Sequence, residues 1–390
     1  MLWAVVPQGR HSAGMARPVL GLFFMPAVVV PSVRSVRSVT RPRTQLRLGF
    51  VPLSDSAPLT VAQELGFFSK HGLDVVLTRE LGWASIREKI FYQDLDAAHA
   101  PAPMLFRLLS GIDGKACEVF TSYFMSAGGN AVTLSAGLRR MGIRSAADLK
   151  RLVRSKHPER LIFAVVSLYS CHYFLLRRWL LSGGIDPDKE VLIAVLPPEQ
   201  MLSSLQVGHI EGFCAGEPWN SAAVLAGAGW CPATSASLAP AHPEKILLSR
   251  TAFAERWPDE HAALLRAIDE ACQWCENPAN RPALVDLMGS CRWFRDCRAA
   301  LRPALLGPFD CGDGNRVAAH DLLRFHGPGL NSPTEDKAAW ILAQMRLARL
   351  STAERAPDGA FRPDLLEEAL GSGLPAKPAP ARKRKVAVAS

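Results

Sequence analysis

The chain contains 390 residues, of which 48% are hydrophobic and 21% are charged. This length exceeds that of a usual single domain and predicts two lobes with a sizeable buried core. The composition is typical of a soluble globular protein and argues against an intrinsically disordered chain.

The formal net charge of +9 is concentrated at the two ends of the sequence. Residues 1–47 carry seven arginines, residues 374–390 carry five lysines and arginines, and neither segment contains an acid. The remaining body has a net charge of −3, so we expect no direct binding of nucleic acid by the body. We interpret residues 1–45 as a disordered or mis-assigned leader and residues 374–390 as a disordered basic tail. The apolar run at 18–33 is too short and too interrupted by proline to predict a transmembrane span.

The first folded segment has the pattern of two helices alternating with three strands. The predicted elements are a strand over 46–53, a helix over 59–72, a strand over 74–80, a helix over 84–93 and a strand over 95–103. Gly72 is a stop signal for the first helix.

The same pattern recurs about 115 residues later. The predicted elements are a strand over 161–167, a helix over 172–184, a strand over 190–196, a helix over 198–208 and a strand over 210–218. Corresponding landmarks keep their spacing, with offsets of 115 for Leu48 and Phe163, 116 for Val75 and Val191, and 115 for Asp96 and Glu211. Two βαβαβ units predict an α/β protein with two parallel or mixed sheets flanked by helices.

Two apolar segments, residues 117–124 and 245–250, are interpreted as hinge strands that cross between the units. From residue 251 the pattern is helical and is expected to cover the first lobe. The predicted organisation is a first lobe of residues 46–128 plus 245–345, a second lobe of residues 129–244, and a C-terminal helical segment over 346–373.

Nine cysteines are scattered through mostly apolar contexts. An odd number without a regular framework indicates reduced cysteines, as in a cytoplasmic protein. Cys272 and Cys275 lie in a helical stretch, but the following Cys291 and Cys297 have a spacing that fits zinc poorly. We therefore predict core cysteines and no metal site.

Known catalytic and nucleotide-binding motifs are missing from the sequence. It contains no Gly-x-Gly-x-x-Gly loop after a strand, no Walker-type loop, no Gly-x-Ser-x-Gly elbow, no His-Glu-x-x-His and no calcium-binding EF-hand loop. These absences favour a binding protein without a cofactor over an enzyme.

Polar residues follow several predicted strands, where ligands bind in α/β sheets. A planar monovalent oxyanion requires donors in one plane, a compensating positive charge and a flat wall. The candidates are the flat face or indole N–H of Trp83, the amide of Asn130, the ring N–H of His172, the backbone N–H of Gly216 and the ammonium of Lys245. Glu217 would repel an anion unless it orients Lys245 or His172.

These candidates also have structural interpretations. Trp83 suits a core position, His172 a helix cap, Asn130 a turn and Lys245 a solvated site. Taken singly, each residue therefore leaves the function open.

Taken together, the motifs resemble the nitrate/bicarbonate-binding family of ABC-transporter substrate-binding proteins. The matching segments are collinear over residues 46–280 and include LGFVPLSDSAPL, LGWASIREK, LDAAHAPAPM, GGNAVTLS, CHYFLLRRWLLSGG, GFCAGEPWN, AHPEKILLS and ACQWCENP. The resemblance implies a type II periplasmic-binding-protein-like fold, in which two α/β lobes are joined by hinge strands and a ligand cleft lies between them.

The resemblance also implies the ligand-binding positions. Those that match the family pattern are Trp83, His172, Gly216, Glu217 and Lys245. Asn130 departs from it, because the transport receptors have a glutamine there. In the bicarbonate-binding relatives an acid replaces the lysine and calcium helps to hold the ligand, so Lys245 indicates nitrate or nitrite without a metal.

The family includes transport receptors and a cytoplasmic nitrate sensor that restrains an RNA-binding antiterminator of the ANTAR type. The segments GGNAVTLS and GEPWNS resemble the sensor branch. We therefore predict a cytoplasmic nitrate sensor that controls nitrate assimilation genes through such a partner. The alternatives are a periplasmic or inner-membrane-associated receptor that delivers nitrate to an ABC transporter permease, an enzyme similar to thiamine-pyrimidine synthases, and an adaptor that has lost ligand binding.

Overall fold

The computed structural model describes residues 45–112, 114–156 and 159–371. The predicted basic tail and, except for Gln45, the predicted leader lie outside these residues. The strands of the described part are β1 Leu46–Phe50, β2 Val75–Arg79, β3 Ala97–Pro101, β4 Val119–Gly128, β5 Asn130–Ser135, β6 Leu161–Val165, β7 Val191–Val195, β8 Gly212–Gly216, β9 Gly229–Thr234, β10 Pro243–Arg250, β11 Phe309–Asp310, β12 Arg316–Val317 and β13 Leu323–Arg324.

Helices connect and cover these strands. They are α1 Ala57–Glu64, α2 Phe67–Lys70, α3 Trp83–Phe91, α4 Ala102–Ser110, α5 Ala136–Arg140, α6 Ala146–Lys156, α7 Cys171–Ser182, α8 Pro198–Gln206, α9 Trp219–Leu225, α10 Ser235–Leu238, α11 Thr251–Arg256, α12 Pro258–Glu276, α13 Arg281–Ser290, α14 Arg298–Leu305, α15 Ala319–Leu322, α16 Glu335–Leu347 and α17 Pro363–Leu370. Short 3-10 helices occur at Ser54–Ser56, Pro278–Asn280 and Arg295–Cys297. No described helix is both long enough and apolar enough to cross a bilayer.

The two largest sheets each form the centre of one lobe. The first has the strand order β13-β4-β10-β3-β1-β2, and the second has the order β7-β6-β8-β5-β9. In both sheets the βαβαβ strands are parallel, whereas the crossing strands pair antiparallel to them. The predicted α/β fold with two lobes is confirmed.

The internal repeat is visible in the strand register. Leu48 of β1 faces Ala97 of β3, and Phe163 of β6 faces Gly212 of β8, 115 residues later in both cases. Acids at equivalent positions of the two units also accept equivalent hydrogen bonds from the backbone. Asp96 accepts a hydrogen bond from the backbone N–H of Arg47, and Glu211 accepts one from that of Ile162.

Two local predictions need correction. The helix predicted over 59–72 is divided into α1 and α2, because Gly66 adopts a left-handed φ of 75° and interrupts the helix. The strand predicted over 95–103 ends at Pro101, and α4 begins at the next residue. Proline at the start of a helix costs no hydrogen bond, so Pro103 is compatible with the first turn of α4.

The chain passes between the two sheets at a pair of glycines. β4 ends at Gly128 and β5 begins at Asn130, and Gly128 and Gly129 have φ values of 71° and 89°. A Cβ on Gly128 would lie 2.4 Å from the carbonyl oxygen of Leu322, so a larger residue would displace the backbone there. The chain returns to the first sheet between β9 and β10.

The segment after β10 is mainly helical. Its longest helix, α12, packs against α1 and α17, and its buried face includes Leu264 and Ile268. These side chains belong to the same apolar cluster as Leu48 of β1. The segment therefore covers the first sheet.

Candidate functional site

The predicted site residues lie at the edges of both sheets and at adjoining helix starts. Trp83 begins α3, Asn130 begins β5, His172 lies in the first turn of α7, Gly216 ends β8, and Lys245 lies near the start of β10. All five are buried.

Short distances join these residues around one buried region. The Lys245 Nζ atom lies 5.6 Å from the centre of the Trp83 ring and 2.6 Å from Oε1 of Glu244. That Glu244 oxygen is 3.3 Å from Nε2 of His172. A Cβ on Gly216 would lie 3.6 Å from the same His172 nitrogen and 3.5 Å from Oδ1 of Asn130. Because residue 216 is a glycine, no side chain fills the space between them.

The charge of Lys245 is opposed by two buried carboxylates. Its Nζ lies 2.8 Å from Oδ2 of Asp55 and 2.6 Å from Oε1 of Glu244. Burial by itself would lower the pKa of Lys245, but the two carboxylates outweigh this effect and raise that pKa above its ordinary value. The Lys245 charge is therefore already paired within the protein, and its predicted role in neutralising a ligand stays a prediction.

Glu244 is at the centre of the contacts. One of its oxygens accepts from Lys245 Nζ, and the other accepts a hydrogen bond of 2.7 Å from Nδ2 of Asn130 and lies 2.8 Å from Nε2 of His242. Burial would raise the pKa of Glu244, but Lys245 and His172 hold it well below its usual range. The carboxylate is therefore ionised and is held by groups from both lobes.

An irregularity in β10 allows neighbouring side chains to meet. The register between β10 and β4 shifts between Pro243 and Lys245 and again between Lys245 and Ile246. Adjacent residues of a regular strand point to opposite faces, whereas a bulge re-aims a side chain. Glu244 and Lys245 can therefore both point into the site.

Two histidines of the site are neutral at pH 7. Burial lowers the pKa of His99 to about 4, although its Nε2 lies 3.4 Å from Oδ1 of Asp55. Burial also lowers the pKa of His172. Within the described residues, the ring nitrogens of His172 and the indole N–H of Trp83 have no hydrogen-bond partner of good geometry. These groups are available to donate to a ligand.

Glu217 does not orient Lys245 or His172 by a hydrogen bond in the described structure. Its Oε2 instead accepts a hydrogen bond from the hydroxyl of Ser221, and Oε1 has no hydrogen-bond partner among the described residues. Burial raises the pKa of Glu217 from 4.5 to about 7. A large fraction of this side chain is therefore neutral near pH 7, which reduces its repulsion of an anion.

Several contacts join the two lobes. The backbone N–H of Ser54 donates a 2.6 Å hydrogen bond to the carbonyl of Glu217. At the surface, Arg79 at the end of β2 forms an ion pair with Glu199 of α8. With the Asn130–Glu244 hydrogen bond, these contacts define a closed arrangement of the lobes.

Four further polar residues of this region were not predicted from the sequence. They are Asp55, His99, His242 and Glu244, and all four are at least 97% buried. Asp55 follows β1 as Trp83 follows β2, so the rule that ligands bind after strands would have found it. The alternation of side chains along a strand predicts that Glu244 faces away from the cleft, so only the bulge places it in the site.

A family profile described as NMT1-like matches residues 40–289, which is more than half of the chain. The chain belongs to the NMT1-like family. This family assignment agrees with the fold and with the collinear motifs found in the sequence.

Three relatives illustrate the range of the family. The chain is 38% identical over 307 residues to the nitrate import ATP-binding protein NrtC of Synechocystis sp., covering 78% of this chain and 46% of NrtC. It is 38% identical over 323 residues to the bicarbonate transport ATP-binding protein CmpC of Synechococcus elongatus, covering 80% and 47%. It is 32% identical over 314 residues to the nitrate/nitrite binding protein NrtA of Synechococcus elongatus, covering 76% and 70%. The chain thus spans about half the length of the first two relatives.

The fold is also similar to a solved structure of a family relative. The periplasmic nitrate-binding protein NrtA of Synechocystis PCC 6803 superposes with a TM-score of 0.78 at 27% identity, covering 84% of this chain and 89% of that one. The expected resemblance to NrtA- and CmpA-like proteins and to periplasmic binding proteins is confirmed.

Proposed function

We propose that this family member binds a small planar oxyanion, nitrate or nitrite, in the closed region between its lobes, and that it acts by binding rather than by catalysis. The observation that carries this proposal is the convergence of Asn130, His172 and Lys245 on the carboxylate of Glu244. A carboxylate is a planar monoanion with oxygen acceptors, as nitrate is. The site therefore already holds an oxyanion that belongs to the protein itself.

The charge of the site determines how an external anion enters. Asp55 and Glu244 form ion pairs with one lysine, Lys245, so the three groups carry a net charge of −1. A second uncompensated negative charge in a buried site is strongly unfavourable. An incoming nitrate must therefore displace Glu244 from its donors or bring a proton to His172 or another buried group.

Bicarbonate is the second candidate ligand. Unlike nitrate, it has an O–H group that can donate to a carboxylate, and the site contains the acceptors Asp55 and Glu244. CmpC, whose name refers to bicarbonate transport, is as similar to this chain as NrtC is. The presence of Lys245 favours nitrate. The pairing of Lys245 with two carboxylates favours bicarbonate, because the O–H group of bicarbonate can donate to one of them.

Isothermal titration calorimetry with nitrate, nitrite and bicarbonate, and with chloride as control, tests the proposal. We expect binding of nitrate or nitrite and none of chloride, which lacks a planar set of acceptors. His172→Gln should weaken oxyanion binding by at least about tenfold, since a hydrogen bond in a buried site contributes about 1.5 kcal/mol. His209→Gln is the matched control, because His209 is exposed. The proposal is wrong if none of the three oxyanions binds, or if His172→Gln binds as tightly as the wild type.

We further propose that the protein is a cytoplasmic nitrate sensor that releases an RNA-binding antiterminator of the ANTAR type. In support, eight cysteines form no disulfide bond within the described residues, as is usual in a reducing compartment; they are Cys117, Cys171, Cys214, Cys231, Cys272, Cys275, Cys291 and Cys311. A ligand that binds the closed lobes better than the open ones shifts the population towards closure, and a partner that prefers the open form is then released. A 100-fold effect requires about 3 kcal/mol of differential affinity.

Copurification with a coproduced antiterminator tests this role. Nitrate should release the antiterminator from the wild type but not from His172→Gln. An antiterminator that does not bind, together with nitrate binding by calorimetry, would favour the transport receptor over the sensor.

A further inference from the structure

We propose that Cys171, His242 and Glu244 form a binding site for Zn²⁺ beside the oxyanion region. One potential ligand atom from each residue, a thiol sulfur, an imidazole nitrogen and a carboxylate oxygen, lies within 4.8 Å of the other two. All three residues are buried. In a tetrahedral zinc site, with bonds of about 2.0–2.3 Å, neighbouring ligand atoms are about 3.3–3.6 Å apart. Small side-chain shifts would therefore bring the three atoms to zinc-binding distances.

The ring of His242 is already held in the orientation that a metal ligand requires. Its Nδ1 lies 3.0 Å from the carbonyl oxygen of Ala239, so this nitrogen can donate its proton to the backbone. The ring also stacks on Trp340, with 5.6 Å between the ring centres and 30° between the planes. A histidine that donates through one nitrogen to a carbonyl presents the lone pair of the other nitrogen to a metal.

That second nitrogen faces a negative oxygen. Nε2 of His242 is 2.8 Å from Oε2 of Glu244, and an unprotonated ring nitrogen and a carboxylate oxygen at this distance need a hydrogen or a cation between them. A proton meets this requirement, and so does a divalent cation. The other Glu244 oxygen is held by Lys245, which fixes the carboxylate with Oε2 towards His242.

The donor set selects the type of cation. Thiolate and imidazole ligands favour zinc and related transition metals, whereas calcium and magnesium require oxygen ligands. Cys171 begins α7 and its Sγ is 3.2 Å from the carbonyl oxygen of Pro243, next to both other ligands in the chain. Zinc with one thiolate would add a net charge of +1 to a region in which Asp55 and Glu244 oppose a single lysine. The metal would therefore relieve the excess of buried negative charge.

The amide of Asn130 lies against the same ligands. Its Nδ2 atom is 2.7 Å from Oε2 of Glu244 and 3.2 Å from Nε2 of His242, while its Oδ1 is buried without a hydrogen-bond partner among the described residues. The two ends of an amide can exchange by rotation. If the Asn130 amide rotates so that Oδ1 takes the place of Nδ2, this oxygen would supply a fourth zinc ligand. Without that rotation the fourth position on the zinc is open to an exogenous ligand.

The Cys272-x-x-Cys275 pair provides the contrast. Both residues are buried on α12, and neither belongs to a group of three or more potential ligands within the described residues. A cysteine variant at this pair therefore removes a buried thiol without touching the proposed site. This makes Cys272→Ser the matched control for Cys171→Ser.

The test uses the full chain, stripped with a chelator and titrated with Zn²⁺, and then with Co²⁺ as an optical probe of thiolate ligation. We expect one equivalent of zinc in the wild type and in Cys272→Ser, with a cobalt–thiolate charge-transfer band. Cys171→Ser should lose the band, and both Cys171→Ser and His242→Gln should weaken zinc binding by more than about 100-fold, the upper range for loss of a merely supporting residue.

Thermal unfolding of each variant checks that it is folded, and His242→Gln decides the result if Cys171→Ser does not fold. The proposal is overturned if the wild type takes up no zinc, if both variants bind zinc as the wild type does, or if Cys272→Ser loses the metal. None of these readouts depends on nitrate, so a failure of the zinc proposal can be distinguished from a failure of the oxyanion proposal.

Discussion

Glu217 gives the sharpest prediction of a change in stability with pH. This side chain is 1% exposed, and burial raises its pKa from 4.5 to about 7 in the folded chain. Replacing it by glutamine keeps the shape and removes the charge. We therefore expect Glu217→Gln to be more stable than the wild type at alkaline pH and equally stable at acidic pH.

The magnitude follows from the two pKa values. Because the folded state binds the proton more tightly than the unfolded state, the stability of the wild type falls as pH rises from about 4.5 to about 7 and then stays level. Each pKa unit corresponds to about 1.4 kcal/mol, so the shift to about 7 costs about 3 kcal/mol above neutral pH. Glutamine has no such cost, so the difference between the two proteins should reach about 3 kcal/mol.

Urea unfolding followed by circular dichroism at about pH 4 and about pH 8 measures this difference. Glu354→Gln is a suitable control, because Glu354 is exposed and its substitution should produce no comparable gap. A difference between Glu217→Gln and the wild type that is the same at both pH values would refute the reasoning. It would mean that the Glu217 carboxylate is solvated in the folded protein.

Three further predictions concern the charged groups of the closed site. Lys245→Met should destabilise the chain by about 3–5 kcal/mol in urea unfolding, because it leaves Asp55 and Glu244 buried without their cation. Glu244→Gln should tighten nitrate binding by at least about tenfold in calorimetry, because the neutral glutamine amide competes less than a carboxylate does for the groups that donate hydrogen bonds to nitrate. Weaker nitrate binding would contradict the displacement of Glu244. If nitrate enters with a proton rather than by displacing Glu244, its affinity should rise as pH falls, by at most about tenfold per pH unit for each proton. Calorimetry in buffers of different ionisation enthalpy measures the proton uptake, and a value of zero would exclude this route.

The sequence predicted the repeat because repeated strands leave a direct trace in the order of residues. Parallel strands buried on both faces read as apolar runs, and the glycines and charged residues between them mark the connections. Leu48 and Phe163 therefore fall at equivalent register positions, as their offset predicted. Helix ends were predicted less well, since the break at Gly66 depends on a single backbone conformation.

The sequence also identified five residues that the structure brings to one region. Each of them lies at a strand end, on a crossing strand or at the start of the helix that follows a strand, and this position is fixed by chain order; they are Trp83, Asn130, His172, Gly216 and Lys245. Their ligand-binding role stays a prediction. Glu217 accepts a hydrogen bond from Ser221 rather than from Lys245 or His172, and its predicted place in the ligand site likewise stays a prediction.

The order of residues therefore determined two homologous α/β units, the strands that join them and the positions from which a site is built. Only the tertiary structure decided the charge of that site, because pairing depends on distances between groups far apart in the chain. Asp55 lies 190 positions before Lys245, yet their charged atoms are 2.8 Å apart. The bulge in β10 likewise brings Glu244 to the same side as Lys245 against the alternation of a strand. With these two acids the expected cationic pocket becomes a buried ion cluster in which two carboxylates oppose one lysine, which is why the site must displace a carboxylate or take up a proton when it binds an anion.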